Sequence, residues 1–205
     1  MRLHDPLSQI LDSRTKVAIL RFLCHYRTFV TGRQLAQFIK INRTTVNEAL
    51  NVLVDEQLIL VRGAGKANIY ELNRNRWIVT RLLEPLFKEE KKLFDSFLGH
   101  VSQEIEHSPL SEQIVSVALF GSVHEQREKP GSDIDIFAVV KEARYKNPVE
   151  NLFFSMNNLQ SWVGMGMEPY VKSIAELKRD RELAVIKSIF KSHRIIWGEK
   201  LEKIE

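Results

Sequence analysis

A single cysteine among 205 residues, Cys24, rules out an internal disulfide, and its place in an amphipathic stretch makes it a small core residue and not a nucleophile. No apolar run approaches the length needed to cross a bilayer. The opening Met-Arg-Leu-His-Asp-Pro also lacks a secretory hydrophobic segment, so a cytoplasmic location is expected. The six histidines offer no zinc set, since His100 and His107, seven apart, have no thiolate or acidic companions. Internal repeats and low-complexity tracts are missing as well. Disulfide-stapled, membrane-spanning, zinc-binding and solenoid classes are thereby excluded.

Charge, by contrast, is present and uneven. From Met1 to Arg76 there are 12 Lys and Arg against 6 Asp and Glu, a net of +6, whereas from Trp77 onward 18 stand against 20, a net of −2. The basic excess belongs to the first part of the chain, as a nucleic-acid surface requires. Asp12 or Ser13 can cap a helix whose Val17, Leu20, Phe22 and Leu23 face inward. Thr31 starts a shorter helix that buries Leu35, Ala36 and Ile39. After a turn at Lys40 to Asn42, a third helix carries Val46, Ala49, Leu50 and Leu53 at core spacing. That leaves Arg43, Thr44, Thr45 and Asn47 at its exposed start. Leu58 to Val61 and Asn68 to Leu72 read as paired strands around a basic tip, Arg62-Gly63-Ala64-Gly65-Lys66.

This order resembles prokaryotic winged-helix regulators over roughly Asp12 to Asn73. The resemblance implies that DNA meets Arg43, Thr44, Thr45, Asn47, Arg62 and Lys66. A position that is often glycine before the first wing strand is Gln57 here.

From about Trp77 to His107, apolar residues from Val79 to Ile105 recur at helical spacing, with Pro85 set to kink the helix or divide it in two. Such a stripe needs a partner, either the following domain or its counterpart in a homodimer. The expected organisation is a domain over 1–76, a helical linker over 77–109 and a second domain over 110–205.

In that second domain, Gln113 to Phe120 (QIVSVALF) reads as a buried strand running into Gly121-Ser122. There glycine permits close approach to a ligand and the following N–H groups face phosphate. A polar stretch reverses through Pro130-Gly131, and Ser132-Asp133-Ile134-Asp135 then opens another strand. Alternation puts Asp133 and Asp135 on one face, where paired carboxylates favour a hard divalent cation. A helix from Pro148 with Phe153, Phe154, Leu159 and Trp162 is expected to cover the sheet, and another to carry Leu177 through Phe190.

The string LFGSVHEQREKPGSDIDIFAVV resembles the signature of the DNA polymerase β-like nucleotidyltransferase superfamily, nearest its minimal branch, which includes antitoxins that modify a partner toxin. The resemblance implies that Asp133, Asp135 and, on a later strand, Glu168 bind Mg²⁺ or Mn²⁺ and carry catalysis. Gly121, Ser122 and Ser132 would seat a nucleoside triphosphate. Arg194 to Gly198 resembles the short closing strand. Relatives commonly place a basic residue and a glycine where Glu125 and Gln126 stand here.

The fold class expected is thus α+β with α/β in two domains: a winged helix-turn-helix, a helical linker, and a small mixed sheet with flanking helices. The function expected is transfer of a nucleoside monophosphate to a hydroxyl acceptor of unspecified identity, a protein being one candidate. The alternative is a DNA-binding regulator with a degenerate or nucleotide-sensing transferase domain.

Overall fold

Side-chain oxygens start the helices of the first half where the sequence offers them. The computed structural model describes residues 4–26, 28–65 and 67–204. The chain divides into two compact units, Met1–Leu93 and Phe94–Glu205. None of the described helices is long and apolar enough to cross a membrane.

In the first unit a short α1 (Leu7–Ile10) precedes α2 (Arg14–His25), whose N-cap Ser13 accepts the Lys16 N–H at 3.2 Å. β1 (Val30–Thr31) leads into α3 (Gly32–Ile39), where Thr31 and Gln34 cap each other's main chain reciprocally. Lys40, left-handed at φ 55°, ends α3, and Asn42 caps α4 (Arg43–Asp55) through Thr44 N–H at 2.8 Å. β2 (Ile59–Ala64) and β3 (Ala67–Leu72) form the wing, and β1 adds to β3, giving the antiparallel order β1-β3-β2. Ile19, Leu20, Leu35, Leu50, Leu53 and Leu72 fill the core beneath them. Gln57, in the turn before β2, is held left-handed at φ 58°, and its carbonyl accepts from Asn73 Nδ2 at 2.9 Å. Burial pushes the Cys24 thiol up to about 12, which leaves it protonated and unreactive.

Pro85 marks a division of the long helical stretch. A π-helical turn, Val79–Leu83, gives way to α5 (Glu84–Glu106), with Pro85 in the first turn of the new helix, where a missing N–H costs nothing. The apolar stripe serves two cores: Ile78, Val79, Leu83 and Phe87 belong to the first unit, and Phe97, Leu98, Val101 and Ile105 to the second.

The second unit contains β4 (Ile114–Leu119), α6 (Gly121–His124), β5 (Ile134–Val140), α7 (Lys146–Ser155), α8 (Asn157–Val163), β6 (Met167–Ser173), α9 (Ile174–Arg179), α10 (Ala184–Lys191) and β7 (Arg194–Gly198). Its sheet runs β6-β5-β4-β7; β5 and β6 are parallel and the other pairs antiparallel. Alternation along β5 divides two cores: Ile134, Ile136, Ala138 and Val140 pack with α5, α7 and α8, while Phe137 and Val139 pack with Leu177, Ile186 and Ile189. The covering helices differ from expectation. The helix from Pro148 breaks at Met156 into α7 and α8, and the one over Leu177 to Phe190 is two short helices, with Leu183 exposed between them.

Candidate active site and candidate nucleic-acid interface

The acidic end of β5 is built by three neighbouring segments. Phe120, just past β4, donates its N–H to the Asp135 carbonyl at 3.1 Å, which continues the ladder by one residue. The chain then turns at Gly121 with φ 73°, and a β-carbon there would overlap the Asp135 carboxylate. Only glycine tolerates both the backbone conformation and the contact. One residue further, the Ser122 main-chain N–H donates to the Asp135 carboxylate. Across the sheet, Asp135 stands in register with Glu168 of β6, and alternation puts both on the face that carries Phe137 and Tyr170. Asp133, exposed before β5, lies against Gly166, where a β-carbon would stand 2.7 Å from its Oδ1.

These carboxylates sense one another. Asp135 is raised above the ordinary aspartate range chiefly by burial; the Ser122 N–H opposes this, and the negative charges of Asp133 and Glu168 reinforce it. A half-buried carboxylate pressed by two others is a donor set of hard oxygens that a divalent cation would relieve. Among the described residues, however, no three His, Cys, Asp or Glu groups converge tightly enough to hold a metal ion by themselves. The residues fit such an ion only as an open, partial site whose remaining ligands would come from outside this set.

The segment between the Gly121-Ser122 turn and β5 is tied down by its own backbone. Arg127 N–H donates to Ser122 O at 2.8 Å and Gln126 is left-handed at φ 56°. The Glu125 carboxylate pairs with the Arg127 guanidinium, so the acid at the rim is neutralised locally. Lys129 to Ser132 closes a tight turn: Ser132 N–H reaches Lys129 O at 2.9 Å, Gly131 supplies φ 84°, and Ser132 Oγ accepts the Lys129 N–H at 2.9 Å. The structure thus brings Gly121, Ser122, Asp133, Asp135 and Glu168 to one end of β5 and β6. It uses the Ser132 oxygen to close the adjoining turn. Gly166 was missed in the sequence, because its role depends on an approach between strands that no local pattern records.

In the first unit a cavity of about 570 Å³ opens between α3, α4 and the wing, lined by Gly32, Arg33, Arg43, Asn47, Asn51 and Asn68 among others. Among the described residues it contains two arginines, three carboxamides and no acid. Arg43, Thr44 and Thr45 are exposed, whereas Asn47 is half-buried, its Oδ1 against Gly32. Arg62 pairs with Glu71 at 2.7 Å and lies over the Phe29 ring at 5.7 Å, with its side chain still largely exposed. Lys66 lies outside the described residues. Arg33, Asn51 and Asn68 line the cavity without having been singled out. Asn51 was findable, being one helical turn beyond Asn47 on the ridge that starts at Arg43.

Comparison with known proteins adds the following. Residues 103–201 match the model of the family described as Polymerase beta, Nucleotidyltransferase. Among solved structures, the homodimeric winged helix-turn-helix DNA-binding domain of a possible ArsR-family transcriptional regulator from Mycobacterium bovis is 21% identical. That match covers 48% of this chain and 86% of that one, with a TM-score of 0.36. A mutant of Lactococcus lactis ZitR in complex with DNA is 21% identical, covering 49% of this chain and 68% of that one, with a TM-score of 0.36. A toxin-antitoxin structure with AMP-PNP is 18% identical over 45% of this chain and 70% of that one, with a TM-score of 0.32. No curated protein matches.

Proposed function

From a polymerase β-type nucleotidyltransferase domain over residues 103–201, we infer that this protein transfers a nucleoside monophosphate from a nucleoside triphosphate to a hydroxyl acceptor, under the targeting or control of a DNA-binding winged helix. The observation that carries the reading is the convergence of the Gly121-Ser122 turn on Asp135, with Asp133 and the register partner Glu168 beside it. In this reading Gly121, Ser122 and Ser132 seat the phosphates, and Asp133 and Asp135 hold Mg²⁺ or Mn²⁺. Glu168 either shares the metal or takes the proton of the acceptor hydroxyl. The bound metal would supply positive charge to the phosphate oxygens. The acceptor oxygen forms a bond to the α-phosphorus as the bond to the pyrophosphate oxygen breaks. The Ser122 N–H keeps Asp135 oriented throughout.

The winged helix would use Arg43, Thr44, Thr45 and Asn47, with Arg62 and Lys66 from the wing, against duplex DNA. Its cavity, free of acids, supports that use. Leu86 and Leu93, exposed and seven residues apart on α5, support a homodimer.

Purified protein incubated with each labelled nucleoside triphosphate, Mg²⁺ or Mn²⁺, and cell extract as acceptor source should transfer label. The double substitution Asp133→Ala/Asp135→Ala should abolish that transfer. Transfer that survives the double change sinks the assignment. A second reading, a regulator whose second domain only senses nucleotide, draws on the Glu125 carboxylate at the rim and its engagement of Arg127. Triphosphate binding without transfer would favour it.

A further inference from the structure

On the ridge of α4 that stands furthest from its core, Asn51 reaches the cavity whereas Thr44 and Glu48 do not line it. At 100° per residue, the buried Val46, Ala49, Leu50 and Leu53 define one side of the helix. Thr44, Glu48 and Asn51 fall opposite, and all three are exposed. Arg43 and Asn47 are rotated away from this ridge toward the cavity, which suits them to the phosphate backbone.

Glu48 is the anomaly. It is an acid midway along the protruding face, which carries a second acid, Asp55, only at the last residue of the helix, in a domain with a net charge of +6 over residues 1–76. Among the described residues it has no ion-pair partner, and its helical neighbours Thr44, Thr45, Asn51 and Val52 include no cation. It is the sixth residue of α4, beyond the first turn in which the helix dipole rewards an acid. Neither helix stability nor a local ion pair accounts for it. Facing DNA, it would repel phosphates, which lowers affinity for every sequence alike unless a base edge offers a donor. In the major groove cytosine presents the N4 amino group with no acceptor of its own, adenine sets the N7 acceptor beside its N6 donor, and guanine and thymine present acceptors that a carboxylate rejects.

Resting on the DNA-binding reading above, we propose that Glu48 is the specificity-determining residue of this face, accepting the N4 amino group of one cytosine in the major groove of duplex DNA. The carboxylate lowers binding to all other sequences and selects those with a C·G pair at one place. The major groove of an RNA duplex is too deep and narrow for α4 to make this contact.

The test uses the full chain as wild type, Glu48→Gln and Glu48→Ala in selections from a random DNA duplex library. Binding is then measured at one fixed salt concentration on the selected duplex and on its C·G to T·A variant. Wild type should select an invariant C·G pair, and its replacement should weaken binding roughly tenfold. Glu48→Gln should bind random duplex several-fold more tightly and lose most of the discrimination, with an unchanged thermal midpoint. A variant that keeps the wild-type base preference overturns the inference, as does one that weakens on all sequences equally. A wild type that binds no duplex even at low salt overturns the DNA-binding reading itself, and this inference with it.

Discussion

Asp135 is the side chain on which both halves of the candidate site act: burial and two neighbouring carboxylates oppose its charge, and one main-chain N–H supports it. An aspartate whose folded pKa lies above its unfolded value binds its proton more tightly in the folded chain. Its ionisation therefore destabilises the fold as pH rises through that window, and the full penalty applies at neutral pH. Asp135→Asn removes the charge while an amide oxygen can still accept the Ser122 N–H. We expect it to raise the thermal midpoint at pH 7, to lose that advantage below about pH 4, where the unfolded carboxyl is also protonated, and to abolish label transfer at every pH. A lower midpoint than wild type at pH 7 would contradict this. Part of this arrangement was legible in the sequence, since period-two alternation puts Asp133 and Asp135 on one face, whereas Glu168 was reached only through the family resemblance. What no local pattern records is the approach of Gly121 to the Asp135 carboxylate and of Gly166 to Asp133, because both are contacts between segments distant in the chain.

Elements were legible where a side chain dictates the backbone and obscure where packing does. Ser13, Thr31 and Asn42 each start a helix by accepting a main-chain N–H, a local interaction visible in the order of residues. The breaks at Met156 and around Asp180 to Leu183 have no glycine or proline to announce them, and the apolar Leu183 mimics a core position while standing exposed. The turn from α4 into β2 shows the opposite case, a conformation specified without the residue that suits it. Gln57 holds φ 58° although its β-carbon disfavours that region. Replacing it with glycine should stabilise the protein by about 0.5–1 kcal/mol in urea denaturation, net of the extra freedom glycine gives the unfolded chain. A loss of stability would show that the contact of Arg76 Nη1 with Gln57 Oε1, 3.5 Å, outweighs the backbone strain.

At the scale of the whole molecule, two compact units with separate cores should not melt as one. The calorimetric enthalpy should exceed the van't Hoff value, and a ratio of one would refute independent cores. Acid should weaken the second unit through Glu176. Main-chain and side-chain N–H and O–H groups of Ser173, together with Lys146, hold Glu176 down to about 2. A depressed carboxyl lends its stability above the unfolded value near ~4.3 and loses it as pH falls toward the folded one, so the transition of this unit should drop between about pH 4.5 and about pH 2. Glu176→Gln should flatten that drop. The parallel pairing of β5 with β6 carries one more implication. The polypeptide enters both strands at their acidic ends and leaves each at the opposite edge, through 141–145 and into α9. Insertions after Val140 would therefore lengthen chain remote from the reacting groups. A single residue added between Gly131 and Asp133, or at 164–166, would instead shift the surroundings of Asp133, Asp135 and Glu168. Under the transferase reading proposed above, those two short entry segments are where a change of acceptor could be engineered without disturbing the sheet.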